Sequence, residues 1–242
     1  MPTTAEHRLA YDMYIAYVHD LCTNPGIRTA LGKGRGRPVE ECALLDRFLT
    51  RSTAGRPARR AYYTTASLIA LAGPQAHTIG VRPATEDPTS TTSAGLVPDD
   101  IAQPRTSTAT ATAAGPATAQ AGDVAAAWYR RPNLGATLAS AVRRAGYNEE
   151  RTDDHLHVLT RLGDDQLHRR LPSHVARMLG DGLTPDWAVL LSDLIQRTYD
   201  PAPVGLRWRD AFYLTLKNPD HMRAVNKTLP TWGPPPPETR AR

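Results

Sequence analysis

The chemistry open to this sequence is written in its arginines. Lys33, Arg35 and Arg37 alternate with Gly32, Gly34 and Gly36. Arg56, Arg59 and Arg60 follow, Arg130, Arg131, Arg143 and Arg144 form a third group, and Arg161, Arg169 and Arg170 lie between Asp153 and Pro172. A guanidinium offers a planar fork of donors that fits phosphate oxygens, so such clusters suit a polyanion, a nucleic-acid backbone first. The glycine-cation loop is expected to have a flexible backbone with adaptable charges; it lacks the GxxxxGK[ST] spacing of a nucleotide-binding loop and follows no strand. On a helix Arg169 and Arg170 point about 100° apart, and with Leu167 and Leu171 inward both face solvent. Asp164 and Asp165 offer them local pairing, but the cations outnumber these two carboxylates.

Other reactive side chains lead nowhere comparable. His155 and His157 stand two apart, facing away from each other on a helix, so with Asp153, Asp154 and His168 nearby they still make a poor metal site. The pairs Glu40-Glu41, Asp99-Asp100, Glu149-Glu150 and Asp164-Asp165 fall at expected helix starts or in linkers, where capping and solvation explain them better than two-metal hydrolysis. No GxSxG nucleophile motif occurs. No catalytic residue, metal ligand or cofactor is therefore assigned. Among aromatics beside cations, Tyr62 and Tyr63 and the pair Trp128 and Tyr129 can stack on bases, the latter pair the better candidates because Arg130 and Arg131 adjoin them. Trp208, four before Phe212, reads as packing, and Arg207 beside it joins the candidate phosphate contacts.

These clusters need elements to position them. The chain has 242 residues, 40% of them hydrophobic, and a formal net charge of +5, enough for a real core and favouring anionic partners. The charge sits outside the middle: 10 basic residues face 6 acidic ones over 1–79, 2 face 5 over 80–127, and 17 face 13 over 128–242. Only Cys22 and Cys42 are present, too few for a disulfide framework and too widely spaced for a zinc site. With no basic stretch leading into an apolar run at the start, and no apolar run of about 18 residues anywhere, a cytoplasmic protein without a membrane partner is expected.

The periodicity is helical throughout, and no segment alternates as a strand. Leu9, Met13, Tyr17 and Leu21 mark a first helix, about 5–23, stopped by Asn24, Pro25 and Gly26. A second begins at Pro38 and gathers Leu44, Leu45, Phe48 and Leu49, and a third runs over about 57–72 to Gly73. Asn133 caps a helix bearing Leu134, Leu138, Ala141 and Val142, with Arg143 and Arg144 in its last turn and Gly146 after it. Residues 153–162 add a short helix, Gly163 and Asp164 read as stop and cap, and Pro172 marks a kink or a new start. Thr184 and Pro185 open the helix of Trp187, Leu190, Leu191, Leu194 and Ile195, and a last one covers about 204–217. Residues 80–127, rich in Thr, Ala and Pro, bury too little apolar surface to offset ordering entropy and are expected to form a disordered linker. The fold expected is all-α, with helical bundles over 1–79 and 128–230 and a Pro-rich tail over 231–242.

Read in order, Gly36-Arg37-Pro38-Val39-Glu40-Glu41, Ala61-Tyr62-Tyr63, Asn133-Leu134-Gly135-Ala136-Thr137-Leu138-Ala139, Leu156-His157-Val158-Leu159-Thr160-Arg161, Leu167-His168-Arg169-Arg170-Leu171-Pro172, Asp186-Trp187 and Trp208-Arg209-Asp210-Ala211-Phe212 resemble the CasB family, the small subunits of the type I-E CRISPR surveillance complex, Cascade. The resemblance covers both helical parts and treats the linker as an insertion. It implies a non-catalytic antiviral subunit, present in two copies beside CRISPR RNA, the backbone subunits and the large subunit, that stabilises the R-loop by holding target and displaced DNA strands. Lys33 and Arg35 match the family's basic loop, and Arg161, Arg169 and Arg170 its central basic helices; Arg143, Arg144, Arg207 and Arg209 match less closely. Two other classes compete: a free-standing helical DNA-binding regulator, for which no polar base-reading helix is evident, and a metal-dependent nuclease acting through Asp164 or His157.

Overall fold

A computed structural model of the chain describes residues 4–73, 128 and 131–217. The elements in order are α1 (Thr4–Cys22), α2 (Pro25–Gly32), a 3-10 turn (Val39–Glu41), α3 (Ala43–Thr53), α4 (Arg59–Ala72), α5 (Leu134–Ala145), α6 (Glu149–Arg161), α7 (Asp164–Gly180), α8 (Trp187–Tyr199) and α9 (Pro201–Lys217). No strand occurs among the described residues, as the helical periodicity predicts. The expected linker over 80–127 and tail over 231–242 lie outside the described residues, as do Tyr129 and Arg130. Among the described residues no helix is long and apolar enough to cross a membrane.

Local chemistry explains most helix ends and revises some of the expected ones. Asn24 and Pro25 do more than stop α1: the Asn24 side chain accepts hydrogen bonds from the Gly26 and Ile27 amides at 2.9 and 3.2 Å, capping α2 with Pro25 in its first turn. Asn133 accepts from the Ala136 amide at 3.1 Å, and Gly146, left-handed at φ 69°, ends α5 as expected. Asn148 starts α6 before Asp153, and Gly163 takes the cap position of α7, leaving Asp164 inside its first turn. Pro172 neither ends nor restarts α7, which runs through it. Asp186 replaces Thr184 as cap of α8, accepting from the Ala188 and Val189 amides at 3.1 Å each.

Helix α4 is the axis of the fold. Every residue from Ala61 to Ala70 is buried, the pattern of a helix enclosed on all sides. It packs against α1, α2, α3, α7 and α8. Its polar side chains are satisfied internally: Thr65 Oγ1 donates to Ala61 O at 2.8 Å, Ser67 Oγ to Leu31 O at 2.8 Å, and Thr64 Oγ1 lies 2.8 Å from His168 Nδ1. Helix α8, buried from Trp187 to Ile195, meets α1 and α4, so helices from before and after residues 74–127 share one continuous apolar core. Within the second group α9 crosses α5 so closely that a Cβ on Gly135 would stand 1.8 Å from Trp208 O. Cys22 and Cys42 are buried free thiols, and burial pushes Cys22 up to about 11.

Candidate nucleic-acid interface

The loop after α2 is anchored, not flexible. Its glycines point inward. A Cβ on Gly34 would stand 2.2 Å from Ser67 Oγ and 2.8 Å from Leu45 Cδ2, and one on Gly36, at φ 72°, would stand 1.8 Å from His168 O. The alternating cations Lys33, Arg35 and Arg37 are all exposed, with Arg35 itself left-handed at φ 39°. Gly36 therefore lays the cationic edge of the loop against α7 at His168 and Arg169, joining two basic segments more than 130 residues apart in sequence.

Arg60 locks this junction. Its Nε and Nη2 donate to Gly36 O at 3.2 and 2.8 Å, while Nη1 meets Asp165 Oδ1 at 2.8 Å. Arg169 Nε bonds the same carboxylate at 3.1 Å, and these two guanidinium groups, Arg60 first, hold Asp165 below its usual range. Beneath them His168 is fully buried, with Nδ1 on Thr64 and Nε2 3.6 Å from Asp164, an ion-pair distance beyond a hydrogen bond; this contact, His168 first, lowers Asp164. Arg170 is exposed on the same helix. Arg161 is exposed in the last turn of α6, immediately before the Gly163 turn into α7.

Other candidate cations are committed elsewhere. Arg131 sits between two acids: Nη1 meets Asp12 at 2.7 Å and Nε meets Asp186 at 2.6 Å, with 19% of its side chain exposed. Burial alone would lower its pKa, but the two carboxylates outweigh burial and raise it. Arg131 is thus a clamp between α1 and the start of α8, and Arg60 a staple between the loop and α7; internal ion pairs take both out of the exposed phosphate-binding set. Arg59 donates to Tyr63 Oη at 3.0 Å and lies 3.8 Å from Asp46, and Arg207 donates to Asp193 and Gln196 at 2.8 Å each. Arg143 and Arg144 are exposed at the end of α5, which packs on α6 and α9.

The expected base-stacking aromatics Trp128, Tyr62 and Tyr63 are enclosed, Tyr129 lies outside the described residues, and Trp208 packs as its spacing predicts. Trp128 is 8% exposed, with the Arg131 guanidinium 4.9 Å and that of Arg8 5.4 Å from its ring centroid, so its faces are covered from within the chain. Tyr62 and Tyr63 belong to the buried face of α4. Trp208 is fully buried, and its Nε1 donates to Asp193 at 2.7 Å. Among the described residues no group of three or more His, Cys, Asp or Glu is gathered.

Sequence reading missed Arg197. It is 2% exposed, and its Nη2 donates to Leu159 O, Thr160 O and Leu162 O at 3.2, 3.0 and 2.6 Å, satisfying the last carbonyls of α6 and fixing the turn that carries Arg161. The signal was present: Arg197 follows Leu190 and Leu194 at i+7 and i+3, on the apolar stripe where a solvated arginine has no place.

Comparison with known proteins agrees with the fold. A family model described as CRISPR-associated protein Cse2 matches residues 27–213. A chain of a CRISPR RNA-guided surveillance complex is 25% identical with a TM-score of 0.61, the match covering 90% of this chain and 99% of that one. A chain of a CRISPR RNA-guided surveillance complex described as pre-nicking is also 25% identical, with a TM-score of 0.60, covering 89% and 98%. No curated relative matches the chain.

Proposed function

The chain belongs to the Cse2 family of CRISPR-associated proteins, the CasB-type small subunits, and from that premise we propose how it works in RNA-guided interference. It is a non-catalytic subunit whose basic face holds target and displaced DNA strands and so stabilises the R-loop. The face consists of Lys33, Arg35 and Arg37 on the glycine-anchored loop, Arg169 and Arg170 beside them on α7, and Arg161 at the α6–α7 turn. Arg59, Arg130, Arg143, Arg144 and Arg207 are secondary contacts.

The observation that carries the reading is the seating of the loop on α7, which gathers cations from two distant segments onto one outward edge. That arrangement recognises phosphates and no base edge. In an RNA-guided complex this suffices, because pairing with the guide reads the sequence. Its partners are CRISPR RNA, the Cascade backbone and large subunits, and a second copy of itself.

The test uses the assembled complex. Native purification should yield the chain in a large particle with a small RNA, and Arg169→Gln with Arg170→Gln should weaken R-loop formation without changing particle composition. If the face neutralises about three to five phosphates, log affinity for single strands falls with log salt at a slope near −2 to −4, and each lost contact flattens it by about 0.7. A monomer without RNA, or an unchanged slope in the double variant, refutes the proposal.

A further inference from the structure

A second basic feature lies away from the loop. Between α6, α7 and the turn after α5 is a cavity of about 450 Å³. Its walls carry Arg151 and His155, one turn apart on α6, and His174 and Arg177 on α7; Leu159 and Met178, each 1% exposed, lie behind them. The two imidazoles meet edge to face with centroids 5.5 Å apart. Arg177 stacks 4.5 Å from the Tyr147 ring, whose hydroxyl donates to Asp181 at 2.6 Å. No carboxylate lines the cavity among the described residues. Two guanidinium groups and two imidazoles therefore converge on one concavity, an arrangement that concentrates anions.

We propose that this cavity binds the phosphate of a nucleotide, with Arg151 and Arg177 as fixed charges, His155 as a wall of the site, and His174 as the charge recruited by proton uptake when the anion enters. The geometry gives each group its role. The guanidinium groups are exposed and always ionised, while His174 is half-buried, with Arg170 and Arg177 on its own helix and the His155 ring of α6 against it. Burial first, then those neighbours, hold His174 below the usual histidine range, so it is neutral near pH 7 until an anion reverses the local field. Asp181, the acid at the rim, is engaged by Tyr147. Phosphate recognition here stands on the cavity alone; only the assignment of that phosphate to a nucleotide rests on the strand-holding reading.

The experiment titrates the full-length chain with sulfate, a probe whose charge is constant between pH 5 and 8, while the histidine ring signals are followed by NMR. The His155 and His174 signals should shift saturably, and sulfate affinity should fall by up to about tenfold per pH unit above the histidine pKa, the limit for one linked proton. Arg151→Gln with Arg177→Gln should abolish the shifts; if the double variant does not fold, His174→Asn should flatten the pH dependence of sulfate affinity. Thymidine 5′-monophosphate, and oligothymidine with and without a 5′-phosphate, then separate the sources: a requirement for the 5′-phosphate assigns a strand end, indifference to it assigns an internal phosphate, and binding of the mononucleotide alone assigns a free nucleotide. Non-saturable or pH-independent shifts, or shifts surviving in Arg151→Gln with Arg177→Gln, overturn the proposal. Lys33→Gln, Arg35→Gln and Arg37→Gln together leave the sulfate response intact, so unchanged strand binding in that variant counts against the basic face and not against the cavity.

Discussion

Replacing Gly36 by alanine tests whether the basic loop is held by backbone contact, and Gly55 supplies the control. Both glycines have φ 72°, so alanine at either costs about 1–2 kcal/mol for the left-handed conformation. At Gly55 nothing lies within 4 Å of the new methyl, and the cost ends there. At Gly36 the methyl stands 1.8 Å from His168 O, where real Cβ contacts stay beyond 3.0 Å, and the obstacle is helix backbone that no rotamer change removes. The loop must retreat from α7, weakening the Arg60 bonds to Gly36 O, a charge-assisted pair worth roughly 1.5–3 kcal/mol. Gly36→Ala should therefore cost about 3–4 kcal/mol and Gly55→Ala about 1–2, read by denaturant unfolding; at about 2–4 °C per kcal/mol for a chain of this size, their melting temperatures separate clearly. Gly36→Ala should also flatten the salt slope of strand binding at temperatures where it remains folded. Equal losses in the two variants, or a destabilised Gly36→Ala that binds strands with an unchanged slope, would refute the idea that the seat on α7 presents the cations.

Three further perturbations probe other junctions. Arg131→Ala leaves Asp12 and Asp186 facing each other part-buried and should cost about 3–5 kcal/mol; a loss under 1 kcal/mol in thermal or denaturant unfolding would show that the clamp is dispensable. Asp193, pushed by burial from 3.8 up to about 6, keeps a proton in the folded state that the unfolded chain releases between those values, so its contribution to stability falls as pH rises from about 4 to about 6. The stability of the wild type minus that of Asp193→Asn, which keeps an acceptor for Trp208, should thus drop by about 3 kcal/mol across that window; parallel curves would count against the burial argument. Gly135→Ala sets a methyl 1.8 Å from Trp208 O and should force α5 from α9, with a lower melting temperature and slower-relaxing Trp208 fluorescence lost to solvent quenching; a native spectrum at full stability would mean that the helices slide apart freely.

The helices were legible because their signals are local. Asn133 and Gly146 mark α5 by cap chemistry alone, and the stripe from Leu190 to Ile195 marks α8 by period. Where one residue serves two purposes, local reading falters: Asn24 and Pro25 both end α1 and begin α2, and only the second role needs the Asn24 hydrogen bonds. The α1 stripe at Leu9, Met13, Tyr17 and Leu21 drifts, because steps of four residues rotate about 40° each. The buried face runs through Tyr14, Ile15, Val18 and Cys22, and Met13 is 65% exposed. In the basic set, sequence tells how many cations there are but not which are neutralised. Arg131 finds its acids 119 and 55 positions away, and Arg60 reaches Asp165 across 105, distances at which composition carries no information. The exposed cations of the loop and α7 were readable because their neighbours are glycines and leucines with places of their own in the core.

That division of labour within residues 32–37 bears on how such a subunit changes over generations. Gly34 and Gly36 tolerate almost no side chain, whereas Lys33, Arg35 and Arg37 touch little that the fold depends on. Substitutions at the outward positions alter grip on a polyanion in single-charge steps while leaving the scaffold's stability nearly untouched, so selection can retune strand affinity on this loop without first clearing a stability threshold.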